Sequence, residues 1–253
     1  MIRAKILIIG CGKMGTALVN GWLNHGLETQ NLQVIEIGDH NKIRKGLNNS
    51  EVSIYASLSE LPKGFSPDII VFAIKPQISE NLLPLYASYV EKKILFLSIM
   101  GGVTTSSLKG LLGKRAKVVR AMPNTPAAIG KGISVMFAGT DVSSMDKRIC
   151  EELMETVGSY DWIDTEDSMD AVTALSGSGP AYVFYLCQAM AEAGEELGLS
   201  SDLSDKLARL TIYGSGALLV QQNISSIELR ENVTSKGGTT EAALKVLKEN
   251  NIN

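Results

Sequence analysis

Apolar and polar positions alternate between two textures along roughly the first 160 residues. Short, nearly unbroken apolar runs cover residues 5–9, 32–37, 69–74 and 94–99. Such runs are what a parallel sheet produces when helices cover both of its faces. Between and after them lie stretches of helical spacing at 15–25, 42–48, 103–112 and 146–157, with further strand patterns at 118–121 and 133–138. This β-α-β alternation predicts an α/β fold with a doubly wound parallel sheet.

The pattern changes near Asp164. No strand pattern is found from residue 168 onward, and helical periodicity takes over at 181–197, 202–222 and 240–249. We therefore place a boundary at 164/165. Residues 1–164 form a sheet domain and 165–253 an all-helical one. The second helix carries Ala208, Leu210, Ile212, Ala217, Leu218 and Val220, more apolar surface than one burial face accommodates. A thin helical domain of this size needs a partner, and a homodimer or higher homo-oligomer through the helical part is expected.

Composition narrows the class. The 253 residues carry a net charge of −3, which argues against a nucleic-acid partner. Three separated cysteines and two histidines show no metal-site spacing, so no metal is expected. A reducing cytoplasm fits this usage. The first four residues run straight into the first strand, leaving no room for a signal peptide. No apolar run reaches membrane-spanning length, so no membrane partner is expected.

The candidate chemistry begins where the first strand ends. Gly10-Cys11-Gly12-Lys13-Met14-Gly15 is a G-x-G-x-x-G turn between a strand and a helix, the setting in which this motif binds a dinucleotide. Gly10 permits the tight turn, Gly12 lets a pyrophosphate approach the backbone, and Gly15 lets helix and strand pack closely. About twenty residues on, Asp39 is near the place where an acidic residue meets the ribose of NAD. His40, Lys42 and Arg44 offer charge to the 2′-phosphate of NADP. The balance leans to NADPH, with NADH as the alternative.

Other loops fall at the same edge of the sheet. Ala73-Ile74-Lys75-Pro76 ends one strand and Ser98-Ile99-Met100 another, the latter followed by two glycines that invite close approach. Asn124, in the proline-stiffened Arg120-Ala121-Met122-Pro123-Asn124-Thr125-Pro126, carries a donor and an acceptor suited to a carboxamide. In the helical half, Pro180 of Ser176-Gly177-Ser178-Gly179-Pro180 fits the first turn of a helix. Ser235-Lys236-Gly237-Gly238-Thr239-Thr240 opens the last helix with amide groups able to bind an anion.

Together these motifs, in this order, resemble the pyrroline-5-carboxylate reductase family from residue 6 to about residue 247. The resemblance implies an N-terminal Rossmann-type domain and a C-terminal helical domain that dimerises. It also implies reduction of 1-pyrroline-5-carboxylate to L-proline with NAD(P)H. On this chain it implies that residues Gly10 to Gly15 hold the pyrophosphate, and that Ala73 to Pro76 and Ser98 to Met100 line the cofactor. Asn124 would lie near the nicotinamide, and Asn232 would touch the cofactor from the helical side. Ser235, Gly238, Thr239 and Thr240 would bind the substrate carboxylate, with the Thr240 hydroxyl near the ring nitrogen as the catalytic group. The chain departs from the family where Lys236 replaces a usual proline and Gly38 a frequent serine. The family also usually has a further helix after the last one here. A hydroxy-acid reductase of similar layout would carry an acid–base lysine on the helix entering the second domain, and residues 170–194 contain none.

Overall fold

The apolar runs become strands because helices cover both of their faces. The computed structural model describes residues 2–250. Its strands are β1 (Ile6–Ile9), β2 (Leu32–Ile35), β3 (Ser53–Tyr55), β4 (Ile69–Phe72), β5 (Leu95–Ser98), β6 (Lys117–Met122), β7 (Gly132–Ala138) and β8 (Gly158–Trp162). They form one sheet in the order β3-β2-β1-β4-β5-β6-β7-β8. On one face Ile6, Ile8, Ile69, Val71 and Leu97 pack with Leu18, Val19 and Trp22 of α1 (Lys13–Asn24), and with Cys150, Leu153 and Met154 of α5 (Ser144–Glu155). On the other, Leu7, Ile9, Ile70, Phe72 and Phe96 meet Leu83, Tyr86 and Leu108, the last from α4 (Thr105–Leu112). The indole Nε1 of Trp22 donates to the Leu153 carbonyl at 3.1 Å, tying α1 to α5. The remaining helices of this unit are α2 (His40–Gly46), α3 (Ser79–Leu82) and α6 (Met169–Val172).

The sheet is parallel and doubly wound, with one reversal. β6 and β7 are antiparallel, whereas all their neighbours pair in parallel. The connection over residues 123–131 is too short for the crossover of a dozen or more residues that a parallel neighbour requires. Strands β2, β4 and β5 end at Ile35, Phe72 and Ser98, one or two residues before the apolar pattern does. The chain leaves the sheet there to build the loops of its carboxyl edge. From β1 the chain runs outward to β2 and β3 on one side, then crosses from β3 to β4 on the other side of β1. The winding therefore reverses between β1 and β4, the switch point at which open α/β sheets bind ligands.

The described chain divides into two compact units after Pro180. Residues just before that point pack on the sheet unit through an ionic clip. Glu166 accepts the Thr105 amide at 2.7 Å, the Thr105 hydroxyl at 2.6 Å and Arg120 Nη1 at 3.2 Å. Arg120 is 3% exposed, and its Nε has no partner among the described residues.

The second unit carries most of α7 (Gly179–Glu196), then α8 (Ser201–Gln221), α9 (Ser226–Asn232) and α10 (Thr239–Glu249). Ser200 and Ser225 start α8 and α9 by accepting amide hydrogens from Leu203 and Glu228. Gly194 lets α7 close on α8, since a Cβ there would stand 2.8 Å from Ser204 Oγ. Among this unit's described residues only Ser204 and Ala208 are buried, while Tyr185, Tyr213 and Val220 are 72–86% exposed. Apolar helices left this bare need a partner surface. No helix of the described residues is long and apolar enough to cross a membrane.

Removing the Glu166 carboxylate strands a buried guanidinium. Glu166→Ala is expected to cost about 3–5 kcal/mol of unfolding free energy, read by chemical denaturation. A denaturation midpoint equal to wild type would show that the clip is not structural.

Candidate functional site

The loop after β1 turns on Gly10. Its φ of +90° and its contact with the next strand both exclude a side chain, because a Cβ would lie 2.6 Å from the Ala73 carbonyl oxygen. The Gly10 amide donates to the Ile35 carbonyl at 2.8 Å, and the Ala73 amide to that of Ile9 at 2.8 Å. These bonds bind the ends of β2, β1 and β4 together at the switch point. Gly15 has the same kind of constraint, with a Cβ placed 2.5 Å from the Gly10 carbonyl oxygen. Gly12 differs. It is the N-cap of α1, its φ and ψ suit any residue, and nothing lies within 4 Å of where its Cβ would be. The protein leaves that space open.

The open space belongs to a cleft of about 290 Å³ lined by Gly10, Gly12, Glu36, Ile37, Ala73, Ile74 and Lys75, with Ile9, Ile35, Ile78 and Leu82 behind them. The first amides of α1 have no intrahelical acceptor. The first turn of α1 holds no acidic residue. The positive end of the helix is thus available to an anion. Cys11 is buried beside it, with its Sγ 3.6 Å from Thr16 Oγ1. Burial, helped by the nearby Glu36 charge and only partly opposed by the Thr16 hydrogen bond, pushes its thiol up, so the sulfur is not a thiolate at neutral pH.

The structure gathers Gly10, Gly12, Ala73, Ile74 and Lys75 around this cleft, with Cys11, Lys13, Met14 and Gly15 forming the turn behind it and Pro76 opening the following 3₁₀ turn. Ser98, Ile99 and Met100 stand one strand further along, outside the cleft wall. Ser98 is buried, and its hydroxyl accepts the Met100 amide at 3.3 Å. Asn124 is committed at both ends of its amide. Oδ1 accepts from the Ile133 amide at 3.0 Å, and Nδ2 donates to the Ser176 carbonyl at 3.2 Å. It braces the β6–β7 reversal against a π-helical turn over Thr173–Gly177, a kind of turn common near functional sites.

Sequence reasoning missed Glu36. The pattern ran β2 on to residue 37 and set Glu36 inside the strand. In the sheet Ile35 is level with Ile9, so Glu36 leaves beside Gly10. Its Oε2 accepts the Cys11 amide at 2.7 Å and its Oε1 the Gly38 amide at 2.9 Å. Sheet register, with β2 closing level with the last residue of β1, was the signal. Asp39 instead caps α2, accepting the amides of Asn41 and Lys42. The basic residues also face other partners. His40 Nε2 donates to the Glu36 carbonyl at 2.6 Å, and Arg44 Nη1 to the carbonyls of Ser50 and Val52.

In the second unit Asn232 ends α9 and is exposed. Gly237, with φ +75°, turns the chain, and its amide donates to Glu241 Oε2 at 2.8 Å. The Gly238 amide donates to the Ser235 carbonyl at 3.0 Å. Gly238 then starts α10 with no side chain to cap it. The amides of Thr239 and Thr240 are left at a bare helix start, beside the Thr239, Thr240 and Ser235 hydroxyls.

Gly12→Val separates ligand space from fold. It is expected to unfold within about 1 kcal/mol of wild type while losing detectable NADH and NADPH binding in a fluorescence titration. Gly10→Ala should destabilise the protein by about 1–3 kcal/mol. Normal nucleotide binding by Gly12→Val would contradict the pyrophosphate assignment.

Comparison with known proteins agrees with this geometry. Residues 166–253 match the family model described as pyrroline-5-carboxylate reductase dimerisation, and residues 5–102 match one described as NADP oxidoreductase coenzyme F420-dependent. A pyrroline-5-carboxylate reductase of Pseudomonas aeruginosa is 35% identical over 250 residues, spanning 99% of this chain and 90% of that one. The enzyme of that name from Arabidopsis thaliana is 32% identical over 97% of this chain and 87% of its own length. Among solved structures, a pyrroline-5-carboxylate reductase from Coxiella burnetii superposes with a TM-score of 0.88 at 33% identity, covering 98% of this chain and 92% of that one. The Plasmodium falciparum pyrroline carboxylate reductase with NADP bound gives 0.85 at 32% identity, over 99% and 91% of the two chains. The chain belongs to the pyrroline-5-carboxylate reductase family.

Proposed function

We infer that this chain reduces the C=N bond of 1-pyrroline-5-carboxylate to give L-proline, using NAD(P)H. Its relatives over the whole chain carry that activity in their names. The observation that carries the reading is the open amide cradle at Gly12, where a nucleotide pyrophosphate finds backbone donors and no competing side chain. When bound, the reduced nicotinamide supplies the hydride that the imine carbon accepts.

The chain's own residues bind and orient. Gly10 to Gly15 present α1's first amides to the pyrophosphate, and Ala73 to Pro76 and Ser98 to Met100 shape the next two strand ends. Asn124 acts by holding the β6–β7 reversal in place. Residues 165–253 form the substrate-binding and dimerisation part, in which Asn232 approaches the cofactor. The amides and hydroxyls of Ser235, Gly238, Thr239 and Thr240 hold the substrate carboxylate. Each charge-assisted hydrogen bond there contributes about 1.5–3 kcal/mol. The Thr240 hydroxyl donates a hydrogen bond to the neutral ring nitrogen or relays a solvent proton to it, and the protonated nitrogen makes the imine carbon electrophilic. The polypeptide works as a homo-oligomer, since residues 166–253 match a dimerisation family and carry bare apolar helices. We take the dimer as the smallest working unit and the cytoplasm as its compartment.

Thr240→Ala tests the assignment of the proton role. It is expected to lower kcat about a hundredfold while leaving the Kd for NADH and NADPH unchanged, followed by absorbance at the reduced-nicotinamide band. Normal turnover by the variant would remove Thr240 from the mechanism.

A further inference from the structure

We propose that Glu36 makes this enzyme select NADH over NADPH. The proposal rests on the reading of the chain as an NAD(P)H-dependent reductase and adds the residue that chooses between the two carriers. In doubly wound sheets the adenosine ribose lies at the carboxyl end of the second strand, beside the glycine turn. Here that place is taken by a half-buried carboxylate. Glu36 follows β2 directly, lines the cleft next to Gly10 and Gly12, and is fixed from two sides by the amides of Cys11 and Gly38 at 2.7 and 2.9 Å. Each carboxylate oxygen has a further lone pair to offer. Those lone pairs suit the 2′- and 3′-hydroxyls of a ribose, which donate. A 2′-phosphate has no hydrogen to give and brings negative charge against a carboxylate that two backbone amides hold in place.

Two of the cations that would offset this repulsion, Arg44 and His40, are engaged elsewhere. Arg44 bridges the carbonyls of Ser50 and Val52, and His40 Nε2 is spent on the carbonyl of Glu36 itself. Lys42 is exposed on α2, and its backbone amide serves the Asp39 cap. Lys75, the cation on the cleft wall, follows β4 on the far side of β1 from Glu36. Two strand spacings, about 10 Å, separate those strand ends, which suits Lys75 to the pyrophosphate rather than to the 2′ position. Gly38 adds no hydroxyl that a phosphate could use.

Equilibrium titration of the full-length protein with NADH and with NADPH, without pyrroline-5-carboxylate, reads this choice directly. Wild type should bind NADH roughly tenfold or more tightly than NADPH. Glu36→Gln, which keeps the side chain's length and removes its charge, should shrink that ratio at least fivefold, chiefly by improving NADPH. Glu36→Ser should do the same even where loss of the Cys11 contact weakens both ligands. Equal or tighter NADPH binding by wild type would overturn the proposal. An unchanged ratio in both variants would overturn it too, leaving Glu36 as a brace for the loop. Turnover with pyrroline-5-carboxylate is measured separately, so failure of the reductase reading appears as missing turnover with the binding preference intact.

Discussion

The contact between the Gly10 backbone and the Ala73 carbonyl governs how this protein meets a ligand. It forces a left-handed turn at the end of β1, and only glycine tolerates both the torsion and the proximity. With the turn fixed, α1 must start immediately, and Gly15 brings it down onto the Gly10 carbonyl. The helix's free amides then open into the gap between β1 and β4, where the winding of the sheet reverses. An open cradle of backbone amides follows from these close approaches and needs no charged side chain at its centre.

The two units are held together by different physics. The sheet unit buries near-continuous apolar strands between helices, and its buried arginine is answered by Glu166, a carboxylate that Thr105 also holds. The helical unit buries little of itself and exposes aromatic and aliphatic side chains along α7 and α8. Its match to a dimerisation family accounts for that exposure, because apolar helices this bare need a partner surface. The same unit carries the bare start of α10, so the part of the chain that assembles is also the part assigned to the substrate.

Much of this was legible in the sequence where burial leaves a periodic mark. The strands from β1 to β7 other than β3, the long helices α7, α8 and α10, and the glycine turn were read from pattern. The two unread strands are a three-residue strand, Ser53–Tyr55, and the polar edge strand Gly158–Trp162, neither of which presents an apolar run. The reversal of β7 depends on connection length rather than hydropathy. Asn124 was read as an amide for the nicotinamide carboxamide, while its partners at Ile133 and Ser176 are tertiary and invisible along the chain. Glu36 and Asp39 show the limit most clearly. Three residues apart and both acidic, they differ in role because sheet register puts one beside the glycine turn and a helix start claims the other.

Hydrogen–deuterium exchange with and without saturating reduced dinucleotide tests the central claim most directly. The cradle predicts slowed exchange on binding at the amides of residues 10–16, 36–38 and 73–76, with little change along β7 and β8. Protection confined to other segments, with the glycine turn exchanging as fast as in the free protein, would contradict it.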